Sequence, residues 1–470
     1  MKRECTALRG AGVPKMANLL LILLGVDYLK RRRTALLAAG WVFMVSGIVV
    51  CLDALDGVLF FPISFFAVLC VIDGCATLLI AQSGVGGQRV LRYAKGSCTL
   101  LAGTLILAGH EHGHFVLSMI FGLLFLADGL LQCIAAYVVR YGRWRTVFVS
   151  GAAEIVLAIF FFQPYPSHYA GAVPYFLGLF LMFSGFKLLI LARRVRHLGM
   201  NPGLVVNAHP EFMPSTGGTA PVTLFEGPPA STERALTVHV WTPTGSAKHD
   251  TRSRPVVDRY IAAVDVNGVI STGHAALETP EGVYISLYPA QEIDQSPEQF
   301  GSLLRATVDN DVPGVFQPDY PTESRAWCPS TTQVRIRNYD AAKLAAFWDA
   351  YRSNTTYNLT HRNCSSSVAA ALEAALDGAV GRLHGPAAGG RVMLRLLLTP
   401  EFWVASQIRK RALTMAWTPG LTLDYARALS MLADPRPFGW WQMAQRAVRR
   451  IMRLRAVWRT RDRAAQRRLP

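Results

Sequence analysis

Paired cysteine spacing is missing from this 470-residue chain. Its eight cysteines include no CxxC and no regular framework, which argues against a disulfide scaffold and a zinc ribbon. Five of them, Cys51, Cys70, Cys75, Cys98 and Cys133, fall in apolar runs, where a cysteine acts as a small hydrophobe. No A-x-A-like cleavage site follows the basic and then apolar N-terminus, so that segment reads as retained. No nucleic-acid recognition motif accompanies the net charge of +17. Much of that charge flanks apolar runs or lies in residues 440–470, which hold ten arginines against one aspartate. Such placement suits anionic lipid headgroups rather than nucleic acid. Neither a cofactor nor a resident metal is implied.

What the chain does have is hydrocarbon: 51% of its residues are hydrophobic, concentrated between 34 and 193. Crossing a bilayer takes about 20 apolar residues, and six segments qualify, at 34–52, 57–81, 91–109, 114–138, 146–163 and 170–192. A shorter run, Leu19 to Leu29, is expected to lie along the membrane surface, so residues 1–33 form a basic N-terminus with an interfacial segment. The six segments repeat. Gly40, Gly96 and Gly151 recur at 55–56 residues, followed seven residues later by Gly47, Gly103 and Ala158. Asp73-Gly74, Asp128-Gly129 and Ser184-Gly185 recur with the same period. Small residues on one face let helices approach closely, which predicts three tandem helix hairpins over 34–195. Asp73 and Asp128 are costly in lipid and should face other helices. Lysine and arginine are absent from the loops LDALDG, GHEHGH and QPYPSHYAG. Basic residues crowd the alternate ones: KRRR before the first span, Arg89, Arg92 and Lys95, then Arg140, Arg143 and Arg145, and finally ARRVR. This asymmetry predicts cytoplasmic termini.

The three-hairpin, small-residue pattern resembles the HdeD-type acid-resistance membrane proteins of bacteria. The resemblance implies a multipass protein of the inner membrane, linked to stress, with no enzymatic residues of its own in that region. The HEHGH run at 110–114 fits H-E-x-x-H, in which two histidines one helical turn apart bind zinc and the glutamate acts as base. The repeat places it in a short outer turn, where a pH-responsive cluster is the plainer reading. An intramembrane zinc protease using His110, Glu111 and His114 is carried as an alternative.

Residues 198–233 contain Pro202, Pro210, Pro214, Pro221, Pro228 and Pro229, and read as an extended linker. Strand-like alternation starts at LTVHVW (236–241) and continues through 260–289, with turns at Asn267-Gly268 and Pro280 to Gly282. TTQVRIR (331–337) reads as a strand, DAAKLAAFWDAYRS (340–353) as a helix, and a further helix begins at Cys364. The expected fold class is therefore an α-helical six-span membrane domain plus a C-terminal α+β domain over 234–400. Basic amphipathic helices follow over 401–470. The Trp440–Trp458 segment among them is suited to the lipid surface.

Cys364 opens its helix within an Asn363–Ser366 capping cluster. Unpaired N–H groups and the helix dipole there stabilise a thiolate. A nucleophile also needs a base. His274, at the head of a predicted strand after a glycine turn, is the first candidate, and His361 is a second. His274 in G-H-A-A-L with Cys364 in N-C-S-S resembles the circularly permuted branch of the papain-like NlpC superfamily. That branch includes lecithin:retinol acyltransferase-like and Lnb-type cysteine domains, and the match spans about 236–378. The resemblance implies a papain-like fold, Cys364 as nucleophile, His274 as base and a third polar residue that orients the histidine. For that third place Glu278 shares a strand face with His274, while Ser286 and Tyr288 lie across the predicted hairpin. The expected function is a membrane-anchored cysteine hydrolase or acyltransferase acting on lipid acyl groups or protein amides. A non-enzymatic stress-response membrane protein is the alternative.

Overall fold

The computed structural model describes residues 15–55, 63–81, 87–108, 111–140, 144–165, 169, 171–200, 229–230, 232–241, 263–264, 270–271, 273–291, 305–384 and 390–434. Two compact units divide the chain, one of residues 1–58 and 118–435, the other of 59–117 and 436–470. The N-terminal half is helical: α1 (Lys15–Leu24), α2 (Val26–Arg31), α3 (Arg33–Asp53), α4 (Ile63–Ile80), α5 (Gly87–Ala108), α6 (Glu111–Val139), α7 (Trp144–Phe162) and α8 (Ala172–Met200). Among the described residues, four stretches are long and apolar enough to cross a bilayer: Arg33–Asp53, His114–Val139, Trp144–Phe162 and Ala172–Arg193. Large side chains on them face outward, including Val45, Leu123, Tyr137 and Val149, each more than half exposed. In water such surface would be untenable. The protein is membrane-associated. The remaining two expected segments, 57–81 and 91–109, overlap α4 and α5.

The recurring glycines sit where helices touch. A Cβ on Gly47 would meet the Gly178 carbonyl oxygen at 2.6 Å, and one on Gly185 would meet that of Gly40 at 2.6 Å. Those contacts join α3 to α8. Gly129 and Gly151 join α6 to α7 in the same way, at 2.7 Å. In the second unit Gly74 lies against Leu100 and Gly103 against Ala67, joining α4 to α5. These tight contacts therefore link the first expected span to the last, the second to the third and the fourth to the fifth. Tandem order would have joined first to second. The glycines specify that something packs closely, and they do not name the partner.

Asp73 accepts from Lys95 Nζ at 2.9 Å within the second unit. Asp128, halfway along α6, accepts from Lys410 Nζ at 2.9 Å and from Arg411 at 2.6 Å. Gln132 bridges Asp128 to Glu154 of α7. Both repeated aspartates thus have cationic partners, as a carboxylate in an apolar setting requires.

The C-terminal region carries small sheets flanked by helices. β1 (Leu236–Trp241), β4 (His274–Glu278), β5 (Tyr284–Ile285) and β8 (Thr332–Ile336) form an antiparallel sheet in the order β5-β4-β1-β8. β2 (Ala263–Val264) pairs with β3 (Ile270–Ser271), and β6 (Leu287–Pro289), β7 (Val312–Phe316) and β9 (Thr356–Tyr357) form a third sheet. The helices are α9 (Tyr320–Ala326), α10 (Ala341–Tyr351), α11 (Cys364–Ala375), α12 (Ala379–His384), α13 (Arg391–Leu398), α14 (Pro400–Thr414) and α15 (Pro419–Ala433).

Register settles which residues share a sheet face. Val238 opposes Leu277, and His239 opposes Ala276, while Trp241 opposes His274. One face presents Val238, Val240, Ala275, Leu277, Ile285 and Val334 to the core shared with Val368, Ala371 and Leu372 of α11. Each fully buried aliphatic contributes about 1.5–3 kcal/mol, so this face fixes α11 on β4. The other face presents His239, Trp241, His274, Ala276 and Glu278.

Two expectations are corrected by packing. The Leu19–Leu24 run does not lie along a surface; it is 0–6% exposed within the core. The Gly378 N–H donates to the Ile22 carbonyl at 2.6 Å. A hydrophobic run too short to span can be satisfied equally by a distant apolar helix. Nor does the cysteine domain stop at residue 400. Phe402, Ala405, Tyr425 and Ala428 are fully buried in the same core, so α14 and α15 belong to it. His110, the Asn267-Gly268 turn, nearly all of the 198–233 linker and the 440–458 helix lie outside the described residues.

Candidate active site

Asn363 starts the site. Its backbone is extended (φ −115°, ψ 180°), and its side chain accepts from the Ser366 N–H at 2.8 Å. Ser366 Oγ in turn accepts from the Asn363 N–H at 2.8 Å. This reciprocal capping box begins α11 at Cys364. Asn363 Nδ2 also donates to the Leu359 and Trp417 carbonyls, at 2.7 and 2.9 Å. The helix start is therefore tied to the loop before it and to the turn between α14 and α15.

Cys364 is 8% exposed. Burial works against its ionisation, but the adjacent His274 imidazolium outweighs burial. Hydrogen bonds from the Ser365 hydroxyl and the Ala275 N–H add to that effect. Together they hold the thiol below its ordinary range. The Ser365 hydroxyl is 3.7 Å from the sulfur. Burial disfavours the charged form of His274 as well, yet the Cys364 thiolate and the Glu323 carboxylate raise it from 6.5 to about 9. Sulfur and imidazole thus interact, each favouring the charged form of the other.

His274 follows Gly273, whose φ of +70° is the left-handed turn that glycine permits. Its ring is stacked on Tyr288 at 4.1 Å and lies 5.4 Å from Trp241. Nε2 meets Ser286 Oγ at 2.8 Å and Glu323 Oε1 at 3.1 Å. With Nε2 committed there, Nδ1 is the ring nitrogen left for the sulfur.

Glu323 occupies the third position. Its side chain is 3% exposed, and it accepts from the Tyr284 hydroxyl and from the Tyr288 hydroxyl at 2.7 Å. Burial alone would raise its pKa. The His274 charge and the two phenols prevail and lower it from 4.5 to about 2. Glu278, the sequence candidate for this role, is turned elsewhere. It accepts from His239 Nε2 at 3.1 Å, while His239 Nδ1 faces Ser330 and its ring stacks on Tyr320 at 3.9 Å. Ala276 separates His274 from Glu278 on their strand face: Glu278 meets His239 of β1, whereas His274 is met by Glu323 of α9. His361, the second candidate base, is half exposed and 3.9 Å from Asp311.

Comparison of the chain with family models, curated proteins and solved structures finds no match.

Glu323 had a readable signal. Asp319 accepts from the Thr322 N–H at 2.6 Å, with Pro321 in the first turn. Asp-x-Pro-x-Glu is a helix-start pattern, and it turns what reads as loop into a rigid platform for one carboxylate. Tyr357 is the other addition. Burial and the Cys364 charge push its phenol above the ordinary range, which puts the ring within electrostatic reach of the sulfur.

Proposed function

We propose that the protein is a membrane-anchored cysteine hydrolase or acyltransferase, with Cys364 as nucleophile, His274 as proton carrier and Glu323 as the residue that orients His274. The observation that carries the reading is the buried order Cys364, His274, Glu323, in which each neighbour stabilises the ionised form of the next. A relay of this kind has a defined chemical use. The Cys364 thiolate attacks an ester or amide carbonyl carbon; a C–S bond forms and the carbonyl electrons move to oxygen. Collapse re-forms the carbonyl and breaks the bond to the leaving alcohol or amine, which takes the proton from His274 Nδ1. Water or an acceptor hydroxyl then attacks the thioester while His274 removes its proton. The acyl product leaves and Cys364 is regenerated.

Acyl groups of lipids are the substrate class that suits this placement best. Trp327, 51% exposed, stacks on Trp241 and stands 6.5 Å from His274, presenting an apolar surface beside the reacting groups. The membrane half is read as six spans with an HdeD-like repeat in a bacterial inner membrane. The basic loops favour a cytoplasmic position for both termini, and with them for the cysteine domain. The domain itself is read as papain-like.

Intact-mass analysis of the full-length protein after exposure to a long-chain p-nitrophenyl ester tests the reading. The expected result is a single acyl adduct on Cys364, absent in Cys364→Ala and slowed in His274→Ala. Equal, slow modification of Cys364 and Cys328, insensitive to His274→Ala, would remove the enzymatic reading.

A further inference from the structure

A cavity of about 290 Å³ lies on the far side of α11 from the proposed nucleophile. Ser366, Ala369, Ala370 and Glu373 line it. At 3.6 residues per turn their spacing places them on one helix face, opposite the one that bears Cys364. Its other wall is α14, through Ala412 and Leu413, and Val139 closes one end. Val139 is the last residue of a membrane-crossing stretch, and the Ala306 N–H binds its carbonyl at 2.9 Å. The cavity therefore opens at the end of the apolar stretch of α6.

Several of its polar groups are engaged within the protein, and His361, half exposed, also lines it. Arg362 donates to the carbonyls of Tyr351, Asn354 and Thr356 and lies over the Tyr351 ring at 3.8 Å. Arg409 pairs with Glu373 at 2.7 Å, and Ser366 is held in the capping box. What faces the empty volume is mainly hydrocarbon, from the alanines, Leu413, Met415 and Trp417. Leu413 and Met415 are 44% and 43% exposed, and Tyr137, near the end of α6, is 60% exposed. The volume is just below the roughly 300–1,000 Å³ of ordinary ligand sites, which suits one acyl chain and leaves no room for a second chain or a fused ring system.

We propose that this cavity binds one acyl chain of a membrane phospholipid, at a site separate from Cys364. An ester seated there cannot reach the sulfur across α11, so the chain is a resident ligand and not a substrate in transit. Its hydrocarbon bears on the back of the helix that carries the thiol, and it ties the domain to the leaflet in which α6 ends.

The test uses full-length protein in phosphatidylethanolamine–phosphatidylglycerol vesicles containing a phosphatidylglycerol with a diazirine at one chain end. Illumination should label peptides within 366–373 or 412–417, equally in wild type and in Cys364→Ala; that equality holds whether or not the acyl-transfer reading survives. Ala370→Trp and Leu413→Trp fill the space and should lower that labelling about fivefold. Leu413 is half exposed, so its variant tests the site without a burden on folding. Labels confined to the membrane helices, or unchanged in both tryptophan variants, would overturn the site. Labelling by diazirine palmitate, with none from the phospholipid, would overturn the phospholipid as its occupant.

Discussion

Glu323 Oε1 lies 3.1 Å from His274 Nε2, with the two side chains 3% and 4% exposed. Water is therefore almost excluded from the contact, and the carboxylate adds to the Cys364 thiolate in supporting a charged imidazole where burial would otherwise discharge it. Glu323→Gln keeps the volume and removes the charge. His274 should then titrate well below its present value of about 9, and turnover should fall by about 100-fold or more. Glu278→Gln, which alters the His239 contact and leaves the Glu323–His274 contact in place, should leave the rate within about twofold. Parallel pH–rate profiles of the two variants measure both effects.

The raised His274 and lowered Glu323 set the pH limits of the site. A base whose pKa rises on folding contributes stability below its unfolded value of 6.5 and loses that contribution as pH climbs through about 9. An acid whose pKa falls on folding contributes above 4.5 and loses it as pH drops through about 2. Denaturation of wild type against a His274→Ala/Glu323→Ala variant should show the largest stability difference between 4.5 and 6.5. Turnover should decline above about 9, when His274 no longer holds the proton for the leaving group.

Asn363 links the reactivity of the thiol to the start of its helix. Asn363→Ala removes the acceptor for the Ser366 N–H and both carbonyl contacts, and should cost about 1–2 kcal/mol. Alkylation of Cys364 should slow at neutral pH, because a frayed first turn offers less support to the thiolate. Asn363→Asp, which retains the cap, should recover stability. Iodoacetamide kinetics and thermal unfolding of the two variants separate the cap from the loop ties.

Asp128 anchors α14 to the membrane helices. In Asp128→Asn, Lys410 and Arg411 keep a polar neighbour but lose its charge. Each group is about a third exposed, so the expected loss is only about 1 kcal/mol. Because Arg409, beside them, holds Glu373 on α11, the same variant should also change Cys364 alkylation. Glu373→Gln should change it further. Unaltered alkylation in both would show that α14 transmits nothing to the thiol.

The cysteine domain was legible wherever a residue's role depends on its own chain neighbourhood. The Asn363 cap, the helix from Cys364 and the glycine turn before His274 are local events set by backbone geometry, and each lies where the sequence places it. The same holds for the alternation in 236–241. Glu278 failed for a reason of geometry. Strand periodicity says that it shares a face with His274, and it does, but a face is wider than a hydrogen bond. The acid within reach came from α9, 49 positions further along.

By itself, then, the sequence determined which stretches are too apolar for water, which positions allow close helix contact, and which thiol and imidazole begin their elements. These are properties of runs and periods, fixed by hydration and backbone sterics. Only the tertiary structure decided that Leu19–Leu24 lies in the core, that the first apolar span packs on the last, and that Glu323 rather than Glu278 meets His274. Each of those depends on which distant surface offers the better complement, and that is a competition between partners that no single segment contains.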